Sequence, residues 1–396
     1  MRRIALIPAA LAVATFTAGP AVAQAEFRTC LAGLRGGIIA QGVSAATFDT
    51  HTRSLEPDMK VLEFLNDQPE FKTPIWDYLA ALVDEERVAD GRAMLRQWSS
   101  SLAAAESRYG VDRATIVAVW GVESDFGKSI GKRSLVQSLA TLSCFGRRQS
   151  FFRGEFAATM KILDRGDVAP EHLTGSWAGA FGHTQFMPST FLRLAVDLDG
   201  DGRRDVVDSV PDALGSTANY LAKAGWQTGG TWGFEVRLPA GVGAGMAGRT
   251  KKKPMASWAA LGVRRVGGGA LPADGNAGLL LPAGINGPAF LVTRNFDAMY
   301  AYNAAESYAL AIAHLSDRLR GGGPFTTPWP TSDRGLSRAE RREVQTLLNR
   351  RGYDVGAPDG AVGTKTRQAI ADFQEKNGMT RDGRASGRVL DALRGR

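Results

Sequence analysis

Gly321, Gly322, Gly323, Pro324, Pro328 and Pro330 crowd so closely that no helix or strand can run through them. Glycine is entropically costly in regular elements, and proline removes a backbone donor. The break predicts a linker over residues 321–335. It divides 396 residues, too many for one compact core, into a long region and a tail, 336–394, near the lower size limit for independent folding. The chain is 44% hydrophobic and 22% charged, with 47 glycines and 17 prolines, a globular composition that excludes wholesale disorder or a collagen-like repeat.

At the other end, Arg2 and Arg3 precede an apolar run from Ile4 to Phe16, then Gly19, Pro20 and the small residues Ala21, Val22 and Ala23. This pattern predicts a secretory signal over residues 1–25, cleaved after Ala23 or Ala25, and therefore an exported, periplasmic protein. The apolar run is short for a membrane span and no later segment is longer, so no transmembrane segment is expected. Cys30 and Cys144 are the two cysteines. In an oxidising compartment an even number defaults to one disulfide, two buried thiols being the alternative. Phe27, Arg28 and Thr29 do not resemble the residues before a lipidated cysteine, so no lipid anchor is expected.

Apolar residues recur at helical spacing over about 26–98, as in Val61, Leu62, Phe64 and Leu65, then Trp76, Leu79, Ala80 and Val83. Helical patterning continues from about Leu102 to Leu163 and from Pro188 to Ala224. Trp232 to Leu238 alternates like a strand, and glycine, proline and small residues around three Leu-Pro-Ala copies predict a small β insertion over about 236–288. Helical periodicity returns from Phe296 to Leu319. The fold class is mainly α with a small β insertion, followed by a separate helical C-terminal domain. In that domain Ser337 and Glu340 form a capping-box pattern, and Thr364 is expected to cap the next helix.

One acid stands out. After the capping residue Asp112, Ile116, Val119, Trp120 and Glu123 follow at helical spacing, so the carboxylate shares an apolar stripe. Desolvation there disfavours the ionised form and raises the pKa toward that of a general acid. The alternative is that Glu123 bends into solvent at the helix end or pairs with an arginine such as Arg133.

Trp120, Gly121, Val122, Glu123 and Ser124 resemble the catalytic helix of lytic murein transglycosylases. The run SWAGAFGHTQFMPS from Ser176 to Ser189 is similar to the active-site segment of the membrane-bound lytic transglycosylase B group, and Tyr302, Asn303 and Tyr308 match a third segment of that cleft. His183 and Thr184 depart from the tyrosine and glycine of better-known members. The resemblance spans most of Glu26 to Leu319. It implies a lysozyme-like α+β core over about 99–235 and 289–320, with Glu123 cutting the β-1,4 bond from N-acetylmuramic acid to N-acetylglucosamine and leaving a 1,6-anhydro end. It assigns Ser176, Gln185, Tyr302, Asn303 and Tyr308 to the sugar cleft, although Ser176 and Gln185 can equally satisfy loop backbone and Tyr308 can be core. A paired-acid glycosidase needs a second carboxylate, and Asp125, two residues on, points to another helix face. A muramidase hydrolysing the same bond and a noncatalytic wall-binding protein are the alternatives. No cofactor is needed for catalysis.

Asp197, Asp199, Asp201 and Gly202 reproduce positions 1, 3, 5 and 6 of an EF-hand loop, with the carbonyl of Arg203 at 7 and Asp205 at 9. Asp208 holds the twelfth position but reaches less far than glutamate, and Asp212 better matches the family's late ligand. The donor set suits a structural calcium ion; a metal-free turn is the other reading.

Basic residues exceed acidic ones by 48 to 40, a net charge of +8 that falls to +6 once the signal's two arginines are removed. From Asp333 to Arg396 there are 14 basic and 9 acidic residues. The segment DGAVGTKTRQAIADFQEKNGMTRDG, Asp359 to Gly383, resembles a small three-helix peptidoglycan-binding domain. That implies glycan strands and peptide stems as partners, with Arg338, Arg341, Lys365 or Arg367 attracting stem carboxylates. Export, and the lack of a dense basic stripe with interleaved aromatics, argue against nucleic acid. The chain is read as a monomer.

Overall fold

The computed structural model describes residues 20–66 and 73–395. Most of the expected signal, residues 1–19, lies outside the described residues; Ala21 to Ala25 belong to the first helix.

The N-terminal part is helical: α1 (Pro20–Ile39), α2 (Ala45–Thr52), α3 (Lys60–Asn66), α4 (Ile75–Leu82), α5 (Glu85–Gln97) and α6 (Ser99–Tyr109). Next come α7 (Arg113–Ser124), β1 (Arg133–Ser134), α8 (Leu135–Cys144), α9 (Gln149–Arg165), β2 (Thr174–Gly175), α10 (Pro188–Leu194) and α11 (Val210–Lys223). A sheet region follows, with β3 (Gly233–Arg237), β4 (Lys253–Pro254), α12 (Met255–Ala260), β5 (Arg264–Arg265), β6 (Asn276–Leu280) and β7 (Ala289–Val292). Then α13 (Arg294–Asn303) and α14 (Glu306–Leu319) return to the helical body, and α15 (Arg338–Arg350), α16 (Thr364–Lys376) and α17 (Gly387–Leu393) form the tail.

Two apolar cores divide the helical body. In one, the fully buried Ile116, Val117, Ala118 and Val119 of α7 pack against α14, α5 and α11. A helix buried on nearly every side belongs inside a domain, and α7 is buried along most of its length. The other core joins α1, α2, α8 and α9 around Phe27, Phe48, Phe152 and Phe156. Cys30 of α1 is disulfide-bonded to Cys144 at the end of α8, which fastens the first helix to this core.

The small sheet is antiparallel with strand order β4-β6-β7-β3-β5. β3 and β7 register Phe234 opposite Leu291, and one sheet face closes over Trp258. The helical stretch expected from Phe296 to Leu319 is two helices, because Ala304 adopts a left-handed conformation with φ 49°. In the tail, Leu336, Val344, Leu348, Ile370, Phe373, Val389 and Leu390 make a separate core. The capping box of Ser337 and Glu340 forms, whereas Thr364 is the first residue of α16 and Gly363 occupies the cap position.

Residues 321–335 contain no helix or strand, yet they are packed down. The ring of Phe325 lies 3.9 Å from that of His314 and 4.7 Å from that of Phe290. The Glu235 carboxylate accepts hydrogen bonds from the backbone N–H groups of Thr326 and Thr327 at 2.8 and 2.7 Å. Among the described residues, no helix is long and apolar enough to cross a membrane.

Candidate active site

The acid is delivered by α7. Asp112 caps that helix, its Oδ1 accepting from the Thr115 N–H at 3.1 Å. Burial pushes the pKa of Glu123 from 4.5 up to about 8, and the hydrogen bond that the Tyr308 hydroxyl donates to Oε1 opposes this without cancelling it. Arg133, the alternative partner, is paired with Asp58. Tyr308 is itself buried, and burial together with the nearby Glu123 charge raises its pKa well above the ordinary value, so it remains a proton donor. The helix ends on two consecutive left-handed residues that are not glycine, Asp125 at φ 50° and Phe126 at φ 58°.

Beside the acid the aromatic rings are layered. Tyr302 stacks on Tyr308 with ring centroids 6.2 Å apart and lies 4.5 Å from Tyr220 of α11. The Tyr302 hydroxyl donates to the Thr184 carbonyl at 2.7 Å, which joins the end of α13 to the 176–189 segment. The break at Ala304 therefore has a use. It lets Tyr302 leave one helix and Tyr308 enter the next within the same cluster.

The other expected cleft residues divide. Ser176 closes its own loop, its hydroxyl accepting from the Ala180 N–H at 3.0 Å. Gln185, left-handed at φ 50°, donates from Nε2 to the carbonyls of Ile130 and Gly182 at 3.2 and 2.9 Å. Both amide and hydroxyl thus shape the loop. Asn303 is exposed at the end of α13. His183 and Thr184 serve structure: Trp120 donates its indole N–H to His183 Nδ1 at 2.9 Å, and burial lowers the imidazole's pKa, keeping it a neutral acceptor. Ser124 Oγ donates to the His183 carbonyl at 2.8 Å, a second tie between α7 and the segment.

In the acidic loop, Asp197, Asp199, Asp201 and Asp212 bring one carboxylate oxygen each within 4.8 Å of one another. Gly200 and Gly202 take φ values of 82° and 89°, the left-handed turn that the sixth position of such a loop requires. Hard carboxylate oxygens in this number fit calcium. Asp208 is drawn away to His172 at 2.6 Å, and Arg203 places its guanidinium against Asp201. Asp212 is fully buried at the head of α11, with its pKa pushed up to about 6 by burial.

The model of the transglycosylase SLT domain matches residues 26–317, and that of a putative peptidoglycan binding domain matches residues 337–393. The chain belongs to the SLT transglycosylases. Membrane-bound lytic murein transglycosylase B of Escherichia coli K12 is 38% identical over 153 residues, which is 38% of this chain and 42% of that protein, less than half its length. Among solved structures, SltB3 from Pseudomonas aeruginosa in complex with NAG-anhNAM-pentapeptide is 46% identical with a TM-score of 0.75, covering 93% of this chain and 99% of that one. The Escherichia coli transglycosylase Slt35 in complex with calcium is 27% identical with a TM-score of 0.64, covering 76% and 95%.

For a member of this family, two features lay beyond the sequence reading. Tyr220 was missed; it donates to the Ala301 carbonyl at 2.7 Å, and burial, with a smaller push from the nearby Glu123 charge, raises its pKa. A signal existed in Ser216, Thr217 and Tyr220, polar and aromatic residues of an amphipathic helix whose other face is apolar. Arg338 and Arg341, expected to attract peptide stems, instead turn inward: Arg338 reaches four acids of the catalytic region, and Arg341 donates to the Ala81 carbonyl at 3.2 Å. Lys365 remains exposed.

Proposed function

We propose that this protein is a lytic transglycosylase cutting the β-1,4 bond between N-acetylmuramic acid and N-acetylglucosamine in peptidoglycan, with Glu123 as its one acid and base. The observation that carries this reading is a half-buried carboxyl at the end of α7, hydrogen-bonded by the Tyr308 hydroxyl and pushed by burial up to a pKa of about 8, so that it is protonated at neutral pH. Asp125, the nearest acid in sequence, is occupied by Arg338 and Arg87 and leaves Glu123 without a partner carboxylate from its own helix.

The chemistry follows from a single proton donor. Glu123 protonates the leaving oxygen as the C1–O bond breaks. The resulting carboxylate takes the proton of the muramoyl C6 hydroxyl, whose oxygen closes on C1 of the same sugar. No water is consumed, and the acid returns to its starting form. Because the nucleophile is intramolecular, effective molarities on the order of 10⁵ M replace a positioned water. Tyr308 stabilises the intermediate carboxylate, while Tyr302, Tyr220, Ser176, Gln185 and Asn303 border the space for the sugars. Neutral dipoles of this kind suit an oxocarbenium-like transition state. The anhydro sugar named in the SltB3 complex supports the cyclised product.

Around this site we place an export signal over 1–25 and periplasmic residence, a catalytic region over 26–320, a linker over 321–335 and a wall-binding module over 336–394, acting as a monomer. Asp197, Asp199, Asp201 and Asp212, with the Arg203 carbonyl, would hold calcium in a purely structural role; its charge would relieve repulsion among the carboxylates at the head of α11. Mass spectrometry of sacculi digested by wild type and Glu123→Gln tests the reading. Anhydro ends from wild type alone are expected. Reducing ends would make the enzyme a hydrolase, and unchanged digestion by Glu123→Gln would remove Glu123 from the chemistry.

A further inference from the structure

The tail module grips the catalytic helix where that helix ends. Arg338, the first residue of α15, has a side chain only 10% exposed, and its Nη1 donates to both oxygens of Asp125 at 2.7 and 2.6 Å. The same guanidinium reaches Glu86 from Nε at 3.2 Å and Asp90 from Nη2 at 3.3 Å. Asp84 completes the joint: one oxygen caps α5 through the Arg87 N–H at 2.8 Å, and the other accepts the Arg338 backbone N–H at 2.8 Å.

Asp125 is a poor residue for its position unless something holds it. It adds a negative charge to the carbonyl end of α7, where the helix dipole is already negative. It is left-handed, which aspartate tolerates, but so is Phe126 after it, which a bulky aromatic does not favour. On the catalytic side, the cations at this cluster of four carboxylates are Arg87, 3.5 Å from Asp125, and Lys128, 2.9 Å from Asp90. The remaining countercharge, Arg338 and Arg342, comes from the tail. The cap matters because the Asp125 N–H bonds back to the carbonyls of Gly121 and Trp120, closing the turn that contains Glu123.

We propose that Arg338 is a positioning residue for Glu123: by forking Asp125 it fixes the last turn of the catalytic helix, so the module forms part of the catalytic unit as well as a handle on the wall. The proposal rests on the reading of Glu123 as the acid. It differs from simple anchoring in one respect. Loss of the grip slows the reaction even on a substrate too small to need the wall.

The test uses the full chain and a soluble tetrasaccharide of alternating N-acetylglucosamine and N-acetylmuramic acid. Arg338→Ala is expected to lower kcat roughly three- to tenfold at unchanged KM, a range typical of coupling through a contact network. Docking itself should survive, because Arg384 still forks Asp77 at 2.6 and 2.8 Å and Arg342 still reaches Glu86 at 2.7 Å. Arg338→Lys, which keeps the charge, should recover most of the loss. Asp125→Asn tolerates the left-handed conformation while dropping the charge, so it should show the same loss, and the double variant should be no worse. Arg342→Ala, which touches Glu86 and not Asp125, should leave kcat unchanged. A normal kcat in Arg338→Ala, a rise in KM alone, or additive losses in the double variant would each overturn the proposal. If Arg338→Ala does not fold, Asp125→Asn and Arg338→Lys decide, since normal kcat in Asp125→Asn is equally fatal. Glu123→Gln in the same assay separates the two levels: a dead Glu123→Gln with an unaffected Arg338→Ala refutes only the positioning role.

Discussion

Replacing Glu123 by glutamine should disable the enzyme and stabilise its fold. The unfolded carboxyl ionises near 4.5, whereas the native one stays protonated to about 8. Between those values the native state holds a proton that the unfolded state has released, so stability falls as pH rises. Nothing is lost below the unfolded value, and the full cost is reached above the folded one. At about 1.4 kcal/mol per unit, a rise from 4.5 to about 8 amounts to roughly 5 kcal/mol. Glutamine never ionises, and it can still accept the Tyr308 hydroxyl. Urea denaturation of both proteins across pH is the assay. The stability difference should grow in favour of Glu123→Gln by roughly 4 kcal/mol between about pH 5 and pH 9. Packing offsets are the same at every pH, and the other titrating groups are common to both proteins, so neither imitates this trend. The rate on sacculi should fall roughly 10²-fold or more. Parallel stability curves would show that Glu123 is not a desolvated acid, and the general-acid argument would fall with them.

Tyr308→Phe removes the hydrogen bond that favours the ionised acid, so the alkaline fall in kcat should move upward by about one unit; a limb that stays in place refutes the contact. Joint Cys30→Ser and Cys144→Ser opens a link spanning 114 residues, and denaturation should report a loss on the order of 4 kcal/mol. The oxidised wild type should weigh two hydrogens less than the reduced form. Millimolar calcium should raise the Tm of wild type but not of Asp199→Ala with Asp201→Ala, which should keep activity at low temperature. The calcium effect should fade as pH falls through about 6, where Asp212 takes up a proton.

What the sequence disclosed follows the range of the forces involved. The cap at Asp112, the stripe ending at Glu123 and the capping box at Ser337 are local patterns, and each is present in the fold. The break at Ala304 left no trace, since neither glycine nor proline marks it and it falls between two members of a tyrosine cluster gathered from α11, α13 and α14. Tyr308 was assigned to the sugars rather than to the acid, because a contact across 185 residues has no local signature. Arg338 misled for a related reason. An arginine opening an amphipathic helix reads as a solvated charge, and its acids lie 213 or more residues earlier.

Glu235 alters what the glycine- and proline-rich segment after α14 can do. Left free, fifteen such residues would wander over roughly 20 Å and let the tail search a wide volume of wall around the cleft. Pinned at Thr326 and Thr327, and buttressed by Phe325, the segment behaves as a strut. Under the proposed function, the wall-binding module and Glu123 then sit at a set separation, as on a caliper. With the tail bound at one point of a strand, only bonds near that separation would reach Glu123.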